Sequence, residues 1–198
     1  MCGEITSLSE SIDHLQQIIA SQQTHASSPM ILAASHFADV ADEALRISQP
    51  TLKRHQVTVV RDYQPAPPIY ADRHLLLQIL INLITNARQA MSDAPERVLT
   101  IRVAGGGSQA FVGSPSRVRL TIQDTGGGIA ADELESVFHR GFTTRADGHG
   151  FGLPNSANHA ATMGGSLHAE CDGPGHGARF VLELPASKPE TVAHRASA

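Results

Sequence analysis

Amide side chains recur at steps of four residues in Gln78-Ile-Leu-Ile-Asn82-Leu-Ile-Thr-Asn86-Ala87. That spacing places Gln78, Asn82 and Asn86 near one face of a helix. Such amides can cap loops or bond to neighbouring backbone. An Asn oxygen is equally a neutral ligand for Mg2+, an ion that keeps most of its bonds to water and phosphate. A second group, Asp124-Thr-Gly126-Gly-Gly128-Ile129, follows directly on a strand-like run. A carboxylate at a strand end can accept from an exocyclic amine, and glycines let the backbone approach a flat ring. The same letters also spell a tight turn. A third group joins Phe138-His-Arg-Gly-Phe142-Thr-Thr-Arg145 to Gly148-His-Gly150-Phe-Gly152-Leu153. Alternate glycines free a loop to wrap an anion, and a helix starting at Pro154 would turn its first N–H groups toward phosphate. No Gly-Lys-Ser/Thr follows, so the P-loop pattern is absent. The last group, Gly164-Gly-Ser and Gly173-Pro-Gly175-His-Gly177-Ala-Arg-Phe180, reads alone as hairpin turns.

These groups need elements to carry them. Residues 4–26 read as one amphipathic helix, with Leu8, Ile12, Leu15 and Ile19 at three- and four-residue steps and a stop at Ser27-Ser-Pro29. One such helix cannot bury its stripe alone and requires a partner. A second helix spans Phe37 to His55, with Pro50 expected to kink or break it. Gln56–Val60 is β-branched and short, hence a strand. Tyr63–Pro68 is a linker too rich in proline for a central strand. The strongest helix runs from Asp72, its cap, to Met91. Val98–Ala104 and Arg117–Gln123 alternate apolar with polar and form two strands, joined by a Gly- and Ser-rich hairpin loop. A helix is expected from Pro154 to Met163. Leu167–Cys171 and Ala178–Leu184 are the last strands, and 186–198 is a polar tail expected to be disordered.

Composition narrows the function classes. A chain of 198 residues fits one globular domain with a small appendage. Two cysteines, Cys2 and Cys171, are too few for a disulfide framework or a four-thiolate zinc site, which favours a reducing compartment. A net charge of −4 gives no general attraction to nucleic acid. No run approaches the length of a membrane span, and the N-terminus lacks the regions of a secretion signal. A cytoplasmic location is the expectation.

Taken in order, Asn82…Asn86, Asp124-x-Gly-x-Gly, Phe138…Phe142, Gly148-x-Gly-x-Gly-Leu and Gly175-x-Gly-Ala resemble the N, G1, F, G2 and final glycine boxes of bacterial sensor histidine kinases. The resemblance covers residues 72–185, and the wider superfamily includes gyrase-type, mismatch-repair and chaperone ATPases. It implies the Bergerat ATP-binding fold: an α+β, two-layer α/β sandwich with a mixed, mainly antiparallel sheet, here preceded by an N-terminal helix. ATP and Mg2+ are the implied cofactors. By position, Asn86 would bind Mg2+ and Asn82 would help hold the phosphate–metal cluster. Asp124 would accept from the adenine amine, with Gly126 and Gly128 shaping the pocket floor. Gly148, Gly150 and Gly152 would line the triphosphate, with Thr143, Thr144 and Arg145 in a lid and Arg145 on the γ-phosphate. Ile129, Phe142, Leu153, Gly175 and Gly177 complete the implied nucleotide-binding set.

In the ATPase branches of the superfamily a glutamate stands four residues before the metal-binding Asn and orients water. Here that residue is Asn82, which cannot take a proton, so the resemblance leans toward phosphoryl transfer to histidine. The usual phosphoacceptor setting, a His followed by an acidic residue and Arg-x-Pro, surrounds none of the 11 histidines. The helix around His14 is similar to the second helix of the family's dimerising hairpin, and His14 reads as a helix-surface residue.

The expected organisation is therefore residues 1–28 as a remnant of that hairpin, 29–185 as the catalytic domain and 186–198 as tail. Expected partners are a response regulator receiver domain, a phosphoacceptor helix in cis or in trans, and a second copy in a homodimer. Any membrane contact would come through segments absent from this chain. The chain reads as a fragment of a longer sensor or as a complete short protein. A non-catalytic ATP-binding adaptor and a true ATPase are the competing classes.

Overall fold

In the computed structural model the described residues are 30–105, 116–143 and 150–186. All but Met30 belong to a unit that begins at Ile31. The expected N-terminal helix with His14 lies outside the described residues, as do most of the hairpin loop and the tail beyond Ala186.

Helix α1 (Phe37–Arg54) buries Phe37, Val40, Ala41, Ala44, Leu45 and Leu52 at helical spacing. It runs unbroken through Pro50, against expectation. Pro50 is exposed, so the carbonyl it deprives of a partner lies on the solvent side, where the loss is cheapest. Gln56 does not begin a strand. It sits in the left-handed region at φ 56° and closes α1. Its N–H returns to the Lys53 carbonyl at 3.1 Å and that of Val57 to Leu52 at 3.0 Å, which satisfies two terminal carbonyls.

Helix α2 (Arg73–Ala90) starts as expected, with Asp72 accepting from the N–H groups of His74 and Leu75 at 2.9 and 3.1 Å. It buries Leu76, Ile79, Leu80, Leu83, Ile84 and Ala87. Helix α3 (Gly152–Thr162) begins two residues before the expected Pro154, which stands inside its first turn. Gly164, at φ 74°, closes α3 with the same pair of returning bonds that Gln56 makes for α1.

Two short antiparallel strands, β1 (Ala33–Ser35) and β3 (Ile69–Ala71), went unforeseen. Neither three-residue run has a readable period, and each is a strand only because the other lies beside it. The main sheet comprises β2 (Thr58–Tyr63), β4 (Val98–Gly105), β5 (Arg117–Asp124), β7 (Arg179–Pro185) and β6 (Ser166–Glu170), side by side in that order. Only β2 and β4 are parallel; the other neighbours are antiparallel. The mixed, mainly antiparallel sandwich is thus the observed fold. β2 extends three residues beyond its expected end, following β4 as far as Tyr63 opposite Val103.

Alternation sorts the two faces of the sheet. Val103, Leu120, Leu182 and Leu167 form one row across four strands toward the helices. A slip of one residue would turn every member to the other face. That other face carries ion pairs instead: Arg102 with Asp62 at 2.6 Å and Arg119 with Glu183 at 2.7 Å. These are largely exposed and contribute little to stability.

Candidate functional site

Strand β5 delivers Asp124 as its last residue, 2% exposed. A carboxylate survives burial when its oxygens are bonded. Asp124 Oδ1 accepts from the backbone N–H of Gly126 at 2.8 Å and of Ala178 at 3.3 Å, while its own N–H goes to the Ala178 carbonyl at 3.0 Å. Ala178 thus contributes to the Asp124 carboxylate through its backbone alone.

The glycines around Asp124 are knitted to one another. Gly177 N–H donates to the Gly126 carbonyl at 3.1 Å and Gly175 N–H to the Gly127 carbonyl at 2.7 Å. Gly177 adopts φ +71°, and a Cβ there would strike the Asp124 carbonyl. Gly126 is a glycine for another reason than a flat ligand: a Cβ would come within 2.5 Å of the Ala90 carbonyl at the end of α2. A Cβ on Gly128 would come just as close to the Gly173 carbonyl. Much of this glycine content is spent on packing the floor against itself.

The second half of the site lies between helices. Asn82, on α2, donates from Nδ2 to Ser156 Oγ on α3 at 2.9 Å, and Ser156 is 3% exposed. The Asn82 amide also crowds Gly152, where any Cβ would collide with Oδ1. Asn82 thus tethers α2 to the first turn of α3. Asn86 is half-buried one turn further along and makes an interaction within the protein. Gln78, one turn before, pairs with His74 Nε2 at 3.1 Å. The N-cap residue of α3, Phe151, makes no side-chain cap hydrogen bond.

Gly150, at φ +66°, accepts from Gly141 N–H at 3.0 Å, and a Cβ there would meet Gly141 and the Phe142 carbonyl. The Phe138–Phe142 segment is thereby joined to the glycine loop, with a 3-10 turn at Ser136–Phe138 before it. Phe142 is half-buried and Thr143 exposed. Ile129 and Leu153 pack against the core. Thr144, Arg145 and Gly148 lie outside the described residues.

Sequence reasoning missed Ser156, Thr125 and Cys171. Thr125 Oγ1 donates to the Glu96 carbonyl at 2.6 Å and accepts from Val98 N–H at 3.0 Å, anchoring the Asp124 turn to the start of β4. Cys171 Sγ lies among Ile129, Gly173 and Gly177. A small polar side chain one helical turn after Gly152 was a usable signal for Ser156; nothing local marked the other two.

Among the described residues no three His, Cys, Asp or Glu side chains cluster to hold a metal. The oxygen donors near α2 are neutral amides, which suits an ion held mainly by phosphate and water rather than by a protein cage. His159 on α3 has its pKa lowered, first by burial and then by His74, with Asp72 opposing.

A five-stranded mixed sheet with helices on one face, with polar groups supplied by a strand end and by two facing helices, defines an ATP-binding α/β sandwich. The chain belongs to the family described as histidine kinase-, DNA gyrase B-, and HSP90-like ATPases, whose pattern matches residues 71–188. It is 31% identical over 166 residues to the sensory histidine kinase/phosphatase NtrB of Rhizobium leguminosarum bv. phaseoli, covering 80% of this chain and 43% of that protein. It is 39% identical over 119 residues to the sensor histidine kinase ZraS of Escherichia coli O157:H7, covering 60% of this chain and 24% of that one. The chain therefore spans less than half the length of these relatives. Full-length ShkA in complex with AMPPNP superposes with a TM-score of 0.68 at 28% identity, over 92% of this chain and 38% of that one. The catalytic domain of histidine kinase ThkA gives 0.67 at 21% identity, over 80% of this chain and 100% of that domain, a likeness of fold. Among the described residues no helix is long and apolar enough to cross a membrane.

Proposed function

We propose that this chain is the ATP-binding catalytic part of a cytoplasmic two-component sensor kinase, transferring the γ-phosphoryl group of Mg-ATP to a histidine for relay to a response regulator. One observation carries the choice of kinase over ATPase. Helix α2 contains no acidic residue from Arg73 to Ala90, and Asn82, where an ATPase would carry its water-orienting glutamate, is bonded to Ser156. A site without a carboxylate on that helix has no base there to activate water, so the γ-phosphoryl waits for a better nucleophile.

In this reading Asp124 accepts from the adenine amine, and Gly126, Gly128, Ile129, Gly175 and Gly177 form the floor. Gly148, Gly150, Gly152 and Leu153 line the phosphates, and α3, which begins at Gly152, turns its N-terminus toward them. Phe142, Thr143, Thr144 and Arg145 belong to the lid, with Arg145 on the γ-phosphate. Asn82 and Asn86 would contact the triphosphate, and Asn86 would hold Mg2+, which would neutralise phosphate charge. An imidazole nitrogen attacks the γ-phosphorus, the bond to the bridging oxygen breaks, ADP departs and the imidazole loses its proton. The protein contributes position and charge neutralisation. The acceptor helix lies in cis or in trans, and a homodimer would bring two such helices together.

Incubation with Mg2+ and ATP labelled at the γ-phosphate tests this. Acid-labile label should accumulate on a histidine, on the chain or on an added dimerisation hairpin, with little inorganic phosphate released. Steady phosphate release without labelled histidine would make the chain an ATPase. Asn86→Ala should leave Mg2+-free nucleotide binding intact and remove Mg2+-dependent transfer. Equal nucleotide affinity with and without Mg2+, in wild type and variant alike, would sink the metal assignment.

A further inference from the structure

Cys171, just after β6, touches two stretches of the pocket floor through one sulfur atom. Its Sγ accepts from the N–H of Ile129 at 3.2 Å and of Gly173 at 3.3 Å. The thiol also lies 2.9 Å from the Gly177 carbonyl and 3.2 Å from that of Gly173. One S–H proton serves one carbonyl at a time, and the shorter contact selects Gly177. Ile129 ends the run that begins with Asp124. Gly177 is the residue packed on the Asp124 carbonyl and bonded to Gly126. The sulfur therefore bridges the segment that presents Asp124 and the turn that backs it. Cys171 is a free thiol, half-buried.

We propose that Cys171 is a positioning residue for the adenine end of the pocket: its thiol sets the spacing between the Asp124–Ile129 run and the 173–177 turn, and so nucleotide affinity. It acts through those backbone segments and does not touch nucleotide. The proposal rests on the nucleotide-binding reading of the site and adds a residue to which neither the glycine pattern nor the family resemblance assigns a role. Serine keeps a donor and an acceptor at this position, whereas alanine removes both, so the pair of variants separates hydrogen bonding from space filling.

The test uses the full chain, with ADP affinity measured by calorimetry, amide hydrogen exchange without nucleotide, and thermal melting. Cys171→Ala should weaken ADP binding about tenfold, the scale of one lost hydrogen-bonded link. Exchange at the Ile129 and Gly173 amides should quicken, and the melting temperature should fall modestly while the chain stays folded. Cys171→Ser should restore affinity to within about threefold and restore both amides. Unchanged ADP affinity in Cys171→Ala would overturn the proposal, as would equal weakening by both variants, which would point to bulk alone. Failure of the wild-type chain to bind ADP would instead overturn the reading of the site, and the role of Cys171 in affinity with it. The exchange of Ile129 and Gly173 then reports separately whether the thiol joins the two segments.

Discussion

The two ends of the candidate pocket are built by different means. At the proposed adenine end Asp124, Gly126, Gly177 and Ala178 are all buried, and backbone bonds link Gly126 and Gly127 to the 175–177 turn. At the proposed phosphate end Thr143, Phe151 and Gly152 are exposed, and a side-chain hydrogen bond, Asn82–Ser156, joins α2 to α3. A floor of mutually bonded strand ends has no single weak point, whereas two helices joined through side chains can shift. The difference suits the proposed role, in which one end recognises a base and the other opens and closes over phosphate.

The largest expected effect attacks the rigid end. Gly177→Ala places a methyl group against the Asp124 carbonyl at a positive φ, and should cost about 2–4 kcal/mol of stability, read as a lowered denaturation midpoint. A stability within error of wild type would show that the floor yields, and the contrast would collapse. Asp124→Asn keeps shape but removes a charged acceptor. It should cost about 1.5–3 kcal/mol of ADP affinity, with inorganic triphosphate binding unaffected as the control. Asn82→Ala should separate the helices at a smaller cost, about 1–2 kcal/mol of stability. It should weaken ATP more than adenosine; equal losses for both ligands would mean that the tether serves the whole pocket.

The mildest prediction concerns pH at the helix seam. His159 on α3 has a lowered pKa because of burial and of His74 on α2, against the opposing charge of Asp72, and Gln78 is the partner of His74. The folded chain then holds that proton less tightly than the unfolded chain. As pH falls below about 6.5 the unfolded state takes up a proton that the folded state refuses, and stability declines until pH passes below the folded value. Urea midpoints at pH 7.5 and 5.5 should differ in that direction, and His159→Gln should reduce the difference. His55, lowered by burial and by Arg88, Arg54 and Arg97, pulls the same way, so a residual slope is expected. A slope unchanged by His159→Gln would show that His159 does not carry it.

Strong local signals translated well into structure. The Asp72 cap, the apolar face of α2 and the alternation in β4 and β5 depend on side-chain pattern and on bonds within a few residues, so they could be read before any folding. The order of Asn82, Asp124 and the glycines pointed to the stretch of chain in which the site is proposed. Pro50 and Gln56 misled for a shared reason: a local preference says where a helix is discouraged, while burial of the surrounding face decides whether the cost is met. β1 and β3 were invisible because three residues have no period, and each depends on a partner 38 residues away, Ala33 opposite Ala71.

What the sequence determined by itself was the inventory: which helices and long strands form, which residue types could meet a nucleotide, and the absence of acid on α2. Those properties reside in composition and in short-range spacing. Only the tertiary structure decided which glycines are pressed against other parts of the protein. Gly126 is held against Ala90, and Gly152 against Asn82, by contacts between residues distant in the chain. The same holds for Cys171, whose sulfur becomes part of the floor because β5 and the β6–β7 turn meet around it. A single letter carries no trace of that meeting, since the partners of a thiol are set by where the strands end.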